Sequence, residues 1–220
     1  MVLCVLTWNV FHGRAVPGAG RGLFDEFAAA LAGWEWDLAL LQEVPPWWPQ
    51  MLAARLEADA RSVLTSRNAL LPLRRTVALR SPDLIKSNGG GANAILVRGQ
   101  TIVEHRIRRL CVWPERRWVH AVRLHGAGLW VANLHGGGPV RDAHRAAASV
   151  RRWAGEAPVV FGGDFNIRAP TLDGFTHAGG HDVDHVFVRG LEPAGPASVL
   201  DHGPLSDHAP VRVAVRNLLP

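Results

Sequence analysis

The chain has 220 residues, 48% apolar and 20% charged, with 23 Gly and 15 Pro. This is globular composition, and it excludes intrinsic disorder, a collagen-like repeat and a coiled coil. The formal net charge is +5, and Lys86 is the single lysine among 24 basic residues. Arginine suits bidentate phosphate recognition, but the basic residues are scattered and a GC-rich genome also yields Arg-, Ala- and Trp-rich chains. The charge therefore leaves the partner open.

One sizeable core is expected at this length, hence a single domain over residues 1–220. Cys4 and Cys111 are too few for a disulfide framework or a cysteine zinc site, which points to a reducing compartment. No run reaches the roughly 18 apolar residues of a membrane span. Val2–Leu6 is shorter than the ~7–15 residue core of a secretory signal. The expected location is the cytoplasm.

In chain order, the pattern predicts a strand over Val2–Trp8, a helix over Leu23–Leu31, a strand over Asp37–Gln42 and a helix over about Trp47–Ala58. Ser66–Gly91 is the least regular stretch and reads as a variable loop carrying Arg67, Arg74, Arg75, Arg80 and Lys86. Strands follow at Asn93–Val97, Ile102–Leu110, Trp118–Leu124 and Leu129–Leu134. A helix spans Val140–Ala154, with Pro139 suited to its first turn. Strands at Val159–Phe161, Asp184–Val188 and Pro210–Val215 complete the pattern, the last alternating Val211, Val213 and Val215 with Arg212, Ala214 and Arg216. Strands and helices in mixed order argue against an all-parallel sheet and suit packed mixed sheets with helices outside. No dinucleotide, P-loop or nucleophile-elbow motif is present.

Polar residues cluster where apolar strands end or begin. Asn9, Glu43, His135 and the pair Asp164 and Asn166 close strands; Asp184 and the pair Asp207-His208 open them. In a mixed sheet the ends of some strands and the starts of their antiparallel neighbours share one rim. Asn133 and His135 are two apart and share a face. Carboxylates gathered on such a rim raise one another's pKa unless a cation offsets them. Oxygen-rich ligands with room for water and phosphate favour Mg²⁺. Zinc fits less well: His181 and His185 lead into a strand, where four residues span roughly 13 Å.

The joint pattern resembles the endonuclease/exonuclease/phosphatase superfamily, which includes DNase I-like nucleases, abasic-site endonucleases and neutral sphingomyelinases. It rests on Thr7-Trp-Asn9-Val, Gln42-Glu43, Asn93-Ala-Ile-Leu, Asn133-Leu-His135, Gly163-Asp-Phe-Asn166, Asp184-His-Val-Phe and Ser206-Asp-His-Ala-Pro210, from residue 7 to residue 210. Gly-Asp-Phe-Asn followed by Ser-Asp-His is the most specific pair.

The resemblance implies an α/β four-layer sandwich, two mixed sheets packed face to face with helices outside and the active site at one rim. It implies Mg²⁺- or Mn²⁺-dependent hydrolysis of a phosphate ester. Glu43 corresponds to the main metal ligand, with Asn9 beside it and Asp207 as a further carboxylate near the metal. Asp164 would orient or deprotonate the attacking water, and Asn166 would hold it or a phosphoryl oxygen. Asp184 would pair with His208, which contacts the scissile phosphate, and His135 would protonate the leaving oxygen.

Around these stand residues with two readings. Asn93 binds substrate or is bonded within its strand. His12 faces the cleft or stabilises its turn. Arg117 is a phosphate ligand or, more simply, an interstrand pair. Trp47 and Trp48 stack a base or anchor a helix. Gly136-Gly-Gly138 lets a phosphate approach the backbone or only turns tightly, and His185 points away from the site. The expected function is a metal-dependent phosphodiesterase, first of all a nuclease. A phosphomonoesterase or phospholipid headgroup hydrolase of the same superfamily is the alternative, and a non-catalytic binding module the remote one. The expected partner is a phosphate-ester substrate, nucleic acid among them, met by a monomer.

Overall fold

The computed structural model describes residues 2–65, 68–80, 83–84, 91–113, 115–126 and 128–217. Side chains alternate across each strand, so one strand feeds two cores. In β1 (Val2–Asn9), Leu3 and Val5 face the gap between the sheets while Leu6 and Trp8 face outward. In β2 (Leu38–Val44), Leu38 and Leu40 face the gap while Ala39 and Leu41 face outward.

The first sheet has the order β11 (Leu191–Pro193), β13 (Val211–Asn217), β1, β2, β4 (Ala92–Arg98), β3 (Ala58–Leu64), with β12 (Ser198–Val199) also on β13. The second has the order β5 (Ile102–Cys111), β6 (Arg117–Leu124), β7 (Trp130–His135), β8 (Val159–Asp164), β10 (Asp184–Arg189), β9 (Thr176–His181). β1 and β2 are parallel, as are β7 and β8; the other pairs are antiparallel. Helices α1 (Phe24–Gly33) and α2 (Trp48–Arg55) cover the outer face of the first sheet. Helix α4 (Val140–Ala154) covers the outer face of the second, through Ala143, Ala146, Ala147 and Val150. The result is the expected sandwich of two mixed sheets with helices outside. No helix among the described residues is long and apolar enough to cross a membrane.

Several elements depart from expectation. The second helix stops at Arg55, and the chain turns with Glu57 at φ 52° into β3, an edge strand whose buried residues are only Ala60 and Val63. So little apolar alternation left β3 without a sequence signal. β9 is hidden likewise by Gly179-Gly180, and β11 and β12 are short. Within 66–91, helix α3 (Leu71–Arg80) replaces part of the expected loop; it buries none of its residues, so it has no apolar stripe to read. Arg67 and Lys86 lie outside the described residues.

β8 runs three residues past its apolar stretch because Gly162 and Gly163 let it. A Cβ on Gly162 would sit 2.8 Å from Leu40 Cδ1 of the facing sheet. Gly163, at φ 139°, would place one 1.9 Å from the Leu134 carbonyl oxygen on the neighbouring strand. Only glycine lets the strand carry Asp164 to the rim here. Gly163→Ala is expected to cost about 3 kcal/mol or more in urea unfolding. Gly33→Ala, where no atom lies within 4 Å of the added carbon, should stay within about 0.5 kcal/mol.

Candidate active site

Strand register assembles the rim. Asn9 pairs with Gln42 across β1 and β2, while His135, Asp164 and Asp184 lie side by side across β7, β8 and β10. Beneath them two amides bind the sheets together. Gln42 Nε2 donates to Asn133 Oδ1 (2.8 Å), and Asn133 Nδ2 donates to the carbonyls of Leu41 and Ala94 (both 2.9 Å). These residues of the Gln-Glu and Asn-Leu-His motifs are structural: an apolar core would leave their backbone partners unsatisfied.

Asp164 is the centre. Its Oδ2 accepts from Asn9 Nδ2 (3.0 Å), and its Oδ1 accepts from the backbone N–H of Asn166 (2.8 Å). His135 Nε2 lies 3.5 Å from Oδ2, and His208 Nε2 lies 4.0 Å from it. Asn166 sits at φ 53° and donates from Nδ2 to the Gly136 carbonyl (3.0 Å). Gly136 is required there, since a Cβ would lie 2.5 Å from the Phe165 carbonyl oxygen.

His208 Nδ1 lies 2.7 Å from Asp184 Oδ2. The approach to β13 is pinned to β1: Ser206 Oγ donates to the Asn9 carbonyl (2.6 Å), Trp8 Nε1 donates to the His208 carbonyl (2.9 Å), and the His208 N–H donates to Ser206 Oγ (3.1 Å). Asp164, Asp184 and His208 offer ligand atoms that all lie within 4.8 Å of one another.

Glu43 reaches the site by a backbone irregularity. In a regular strand it would point opposite to Gln42. A register shift between Leu41 and Val44, with Glu43 at φ 52°, redirects it. Its Oε2 lies 3.0 Å from His12 Nε2, and its Oε1 lies 3.8 Å from His135 Nε2. His12 comes from a one-turn 3-10 segment, Phe11–Gly13, in which Phe11 (φ 47°) and His12 (φ 55°) are left-handed. His12 therefore faces the site.

The electrostatics separate the groups. Burial pushes the Glu43 carboxyl up, but the His12 hydrogen bond and the charges of His12, His135 and Arg117 outweigh it and hold the group at about 2. Burial, reinforced by the Arg117 charge, lowers His135 to about 4 against the opposing pull of Asp164 and Glu43. Burial raises Asp164 and Asp184. His208 is lowered by burial, yet the Asp184 hydrogen bond and charge, with Asp164 and Asp207, carry it to about 9.

The rim thus gathers Asn9, Glu43, His135, Asp164, Asn166, Asp184 and His208. Asp207 is exposed and lies outside the tight acid–imidazole cluster. Asn93 is fully buried, with neither amide atom hydrogen-bonded; the bonding within its strand that the sequence suggested is absent. His181 and His185 stand on two arms of a hairpin rather than along one strand, so the separation expected between them does not apply. The His185 ring instead meets His177 Nε2 (3.1 Å) and the Ile167 carbonyl (2.9 Å), away from the rim. Arg117 pairs with Glu115 (2.8 Å) within its own segment, and its charge acts on both Glu43 and His135. The pairing is the plainer of its two readings, made with Glu115 of its own segment in place of a partner on another strand.

Two mixed sheets with this polar rim constitute the DNase I-like architecture of phosphoesterases. The chain belongs to the endonuclease/exonuclease/phosphatase family, whose family model matches residues 6–208. It is similar to an endonuclease/exonuclease/phosphatase from Bacteroides vulgatus (16% identity, 99% of each chain covered, TM-score 0.72). It is also similar to a humanized D. rerio TDP2 (16% identity, 98% of this chain and 99% of that one, TM-score 0.71). A third, from Beutenbergia cavernae, shares 20% identity over 98% of this chain and 72% of that one, with a TM-score of 0.69. At these identities the likeness is one of fold. Among curated proteins none matches the chain in sequence.

In metal-free protein the His208 ring should titrate near 9 by NMR, and Asp184→Asn should move that midpoint down. A raised imidazole pKa contributes stability that is full below its ordinary 6.5 and lost as pH rises through about 9. The unfolding free-energy difference between wild type and Asp184→Asn should accordingly be larger near pH 6.5 than at about pH 10. A difference that does not shrink would reject the linkage.

Proposed function

We propose that this chain, acting as one domain over residues 1–220, is a divalent-metal-dependent phosphodiesterase whose substrate is nucleic acid. The observation that carries this reading is the gathering on one rim of three carboxylates, Glu43, Asp164 and Asp184, with the imidazoles of His135 and His208 and with Asn9, in a chain of this family.

The donor set suits a hard cation. Three carboxylates, Glu43, Asp164 and Asp184, are drawn together at low exposure, and Asp184 Oδ1 is buried without a hydrogen-bond partner. Glu43, ionised at all ordinary pH, Asn9 and Asp207 would hold Mg²⁺ or Mn²⁺ through oxygen. When bound, the ion supplies positive charge to the phosphoryl oxygens. His208 is the poorer ligand, because its Nδ1 is engaged by Asp184 and it carries a proton at neutral pH.

Asp164 takes the proton of the attacking water; burial makes it a stronger base than an ordinary carboxylate. Asn9 and the Asn166 N–H fix both its oxygens, so its orientation is set before substrate arrives. Charged His208, steered by Asp184, binds a phosphoryl oxygen through Nε2. His135 is neutral at pH 7, so it protonates a leaving oxygen only after gaining a proton. Asp164 Oδ2, 3.5 Å away, is placed to pass on the one it took. Asn93, two residues into β4 behind the rim, enters this reading as a substrate-positioning amide.

The test is a screen of purified protein with Mg²⁺ on abasic DNA, single-stranded DNA, RNA, nucleotides and phospholipid headgroups. Glu43→Gln should lower turnover of the best substrate by about 100-fold or more; near-wild-type turnover at saturating Mg²⁺ would reject Glu43 as a metal ligand. Residues that act as a unit lose activity non-additively. Asp184→Asn combined with His208→Ala should therefore be little worse than His208→Ala alone, and multiplying losses would separate the two.

A further inference from the structure

The segment Glu43-Val44-Pro45-Pro46-Trp47-Trp48 sets two adjacent indoles just beyond the Glu43 carboxylate, and the fold uses them differently. Trp48 is 6% exposed and packs against Phe24 and Phe27, with ring centroids 5.4 Å away in both cases. It is the helix anchor. Trp47 is only half-buried: it packs against the edge of the same apolar cluster and lines a cleft of about 350 Å³ with Pro46, Leu71, Pro72 and Arg75. The Arg75 guanidinium lies over the Trp47 ring, 5.9 Å from its centroid.

Three features make this more than an irregular surface. The opposite wall is α3, which buries none of its own residues and so serves no core. Among the described residues no carboxylate lines the cleft, and the one charged group lining it is a cation. Four residues of chain span at most about 14 Å, so the cleft lies within a few nucleotides of Glu43.

We propose that the cleft is a base-stacking subsite for an unpaired nucleotide flanking the scissile phosphate, with the Trp47 indole against the base and Arg75 against the adjoining phosphate. This deepens the nucleic-acid reading above and rests on it. Every base has a π-face, so such a site is sequence-tolerant, and a guanidinium beside an indole serves both stacking and phosphate binding. A duplex hides its bases, which selects single-stranded or frayed substrate. Leu73 and Leu79 are about 60% exposed on the same helix. A lipid surface would use such a convex face, whereas a concave indole–guanidinium pair fits a planar ring.

The experiment compares a thymidine tetranucleotide with the same backbone lacking bases, titrated with Mg²⁺ into full-length chain carrying Asp164→Asn so that the ligand survives. The tetranucleotide should bind about tenfold more tightly than the abasic backbone. Trp47→Leu should erase that preference and leave abasic affinity unchanged. Arg75→Ala, at an exposed position, should weaken both ligands and make affinity less dependent on salt. Equal binding of the two ligands by the parent chain, a preference that survives Trp47→Leu, or unchanged binding in Arg75→Ala would each overturn the subsite. So would binding to phosphatidylglycerol vesicles, lost on Leu73→Ser with Leu79→Ser, in place of oligonucleotide binding. Cleavage is scored separately on the unmutated chain. Base-selective binding without cleavage sinks the phosphodiesterase reading and keeps the subsite; cleavage without base preference does the reverse.

Discussion

The hydrogen bond from Asn9 Nδ2 to Asp164 Oδ2, 3.0 Å long, crosses from one sheet to the other, and the site depends on it. Asp164 is 1% exposed, and a buried carboxylate left unpaired costs several kcal/mol. The sheets must therefore approach closely enough at this end for an amide on one to reach a carboxylate on the other. Gly162 and Gly163 permit that approach, and the Gln42–Asn133 bridge beneath maintains it. Ser206 and Trp8 then tie the lead-in to β13 onto β1, which delivers His208 to the same place. Remove the inter-sheet contact and Asn9, Glu43 and His208, carried by the first sheet and its lead-in, no longer face His135, Asp164 and Asp184 of the second.

Bringing so many ionisable groups together would be self-defeating if they all titrated alike. Their environments instead drive them apart. Glu43 is held anionic at about 2 by His12, and His135 is kept neutral at about 4 by burial and Arg117. His208 is kept cationic at about 9 by Asp184. Two imidazoles on one rim thus carry different charge at pH 7, one free to take a proton and one already holding it. Separation of this kind is how a single site supplies both acid and base functions.

The parts of this arrangement set by side-chain identity and strand alternation were legible in the sequence. Asn9, His135, Asp164 and Asp184 lie at ends of apolar runs, and a parity argument correctly turned His185 away and placed Asn133 with His135. What was not legible depends on backbone conformation or on packing that leaves no pattern. Strand parity alone would aim Glu43 away from Gln42; a bulge with a left-handed residue reverses that. His12 is carried to Glu43 by two left-handed residues in a turn whose composition is unremarkable. β3 and α3 bury too little for periodicity to mark them. That Trp48 is buried in the core while Trp47, at the core's edge, also lines a cleft depends on where α3 lies, in a stretch that reads as irregular.

The backbone strain follows the same geography. Of the eight non-glycine residues with positive φ among the described residues, five stand on the segments that build the rim: Phe11, His12, Glu43, Asn166 and Ser206. Each such conformation costs on the order of 1 kcal/mol and persists only where its surroundings over-determine it. Here the surroundings are hydrogen bonds made by the site residues themselves. Asn9 Oδ1 accepts from the Phe11 N–H, Asp164 Oδ1 accepts from the Asn166 N–H, and Ser206 Oγ donates to the Asn9 carbonyl. The polar network that prepares the chemistry is thus also what holds the turns at Phe11, Asn166 and Ser206. A site built this way resists small displacements, because the side chains of Asn9, Asp164 and Asn166 are also part of the brace for a neighbour's backbone.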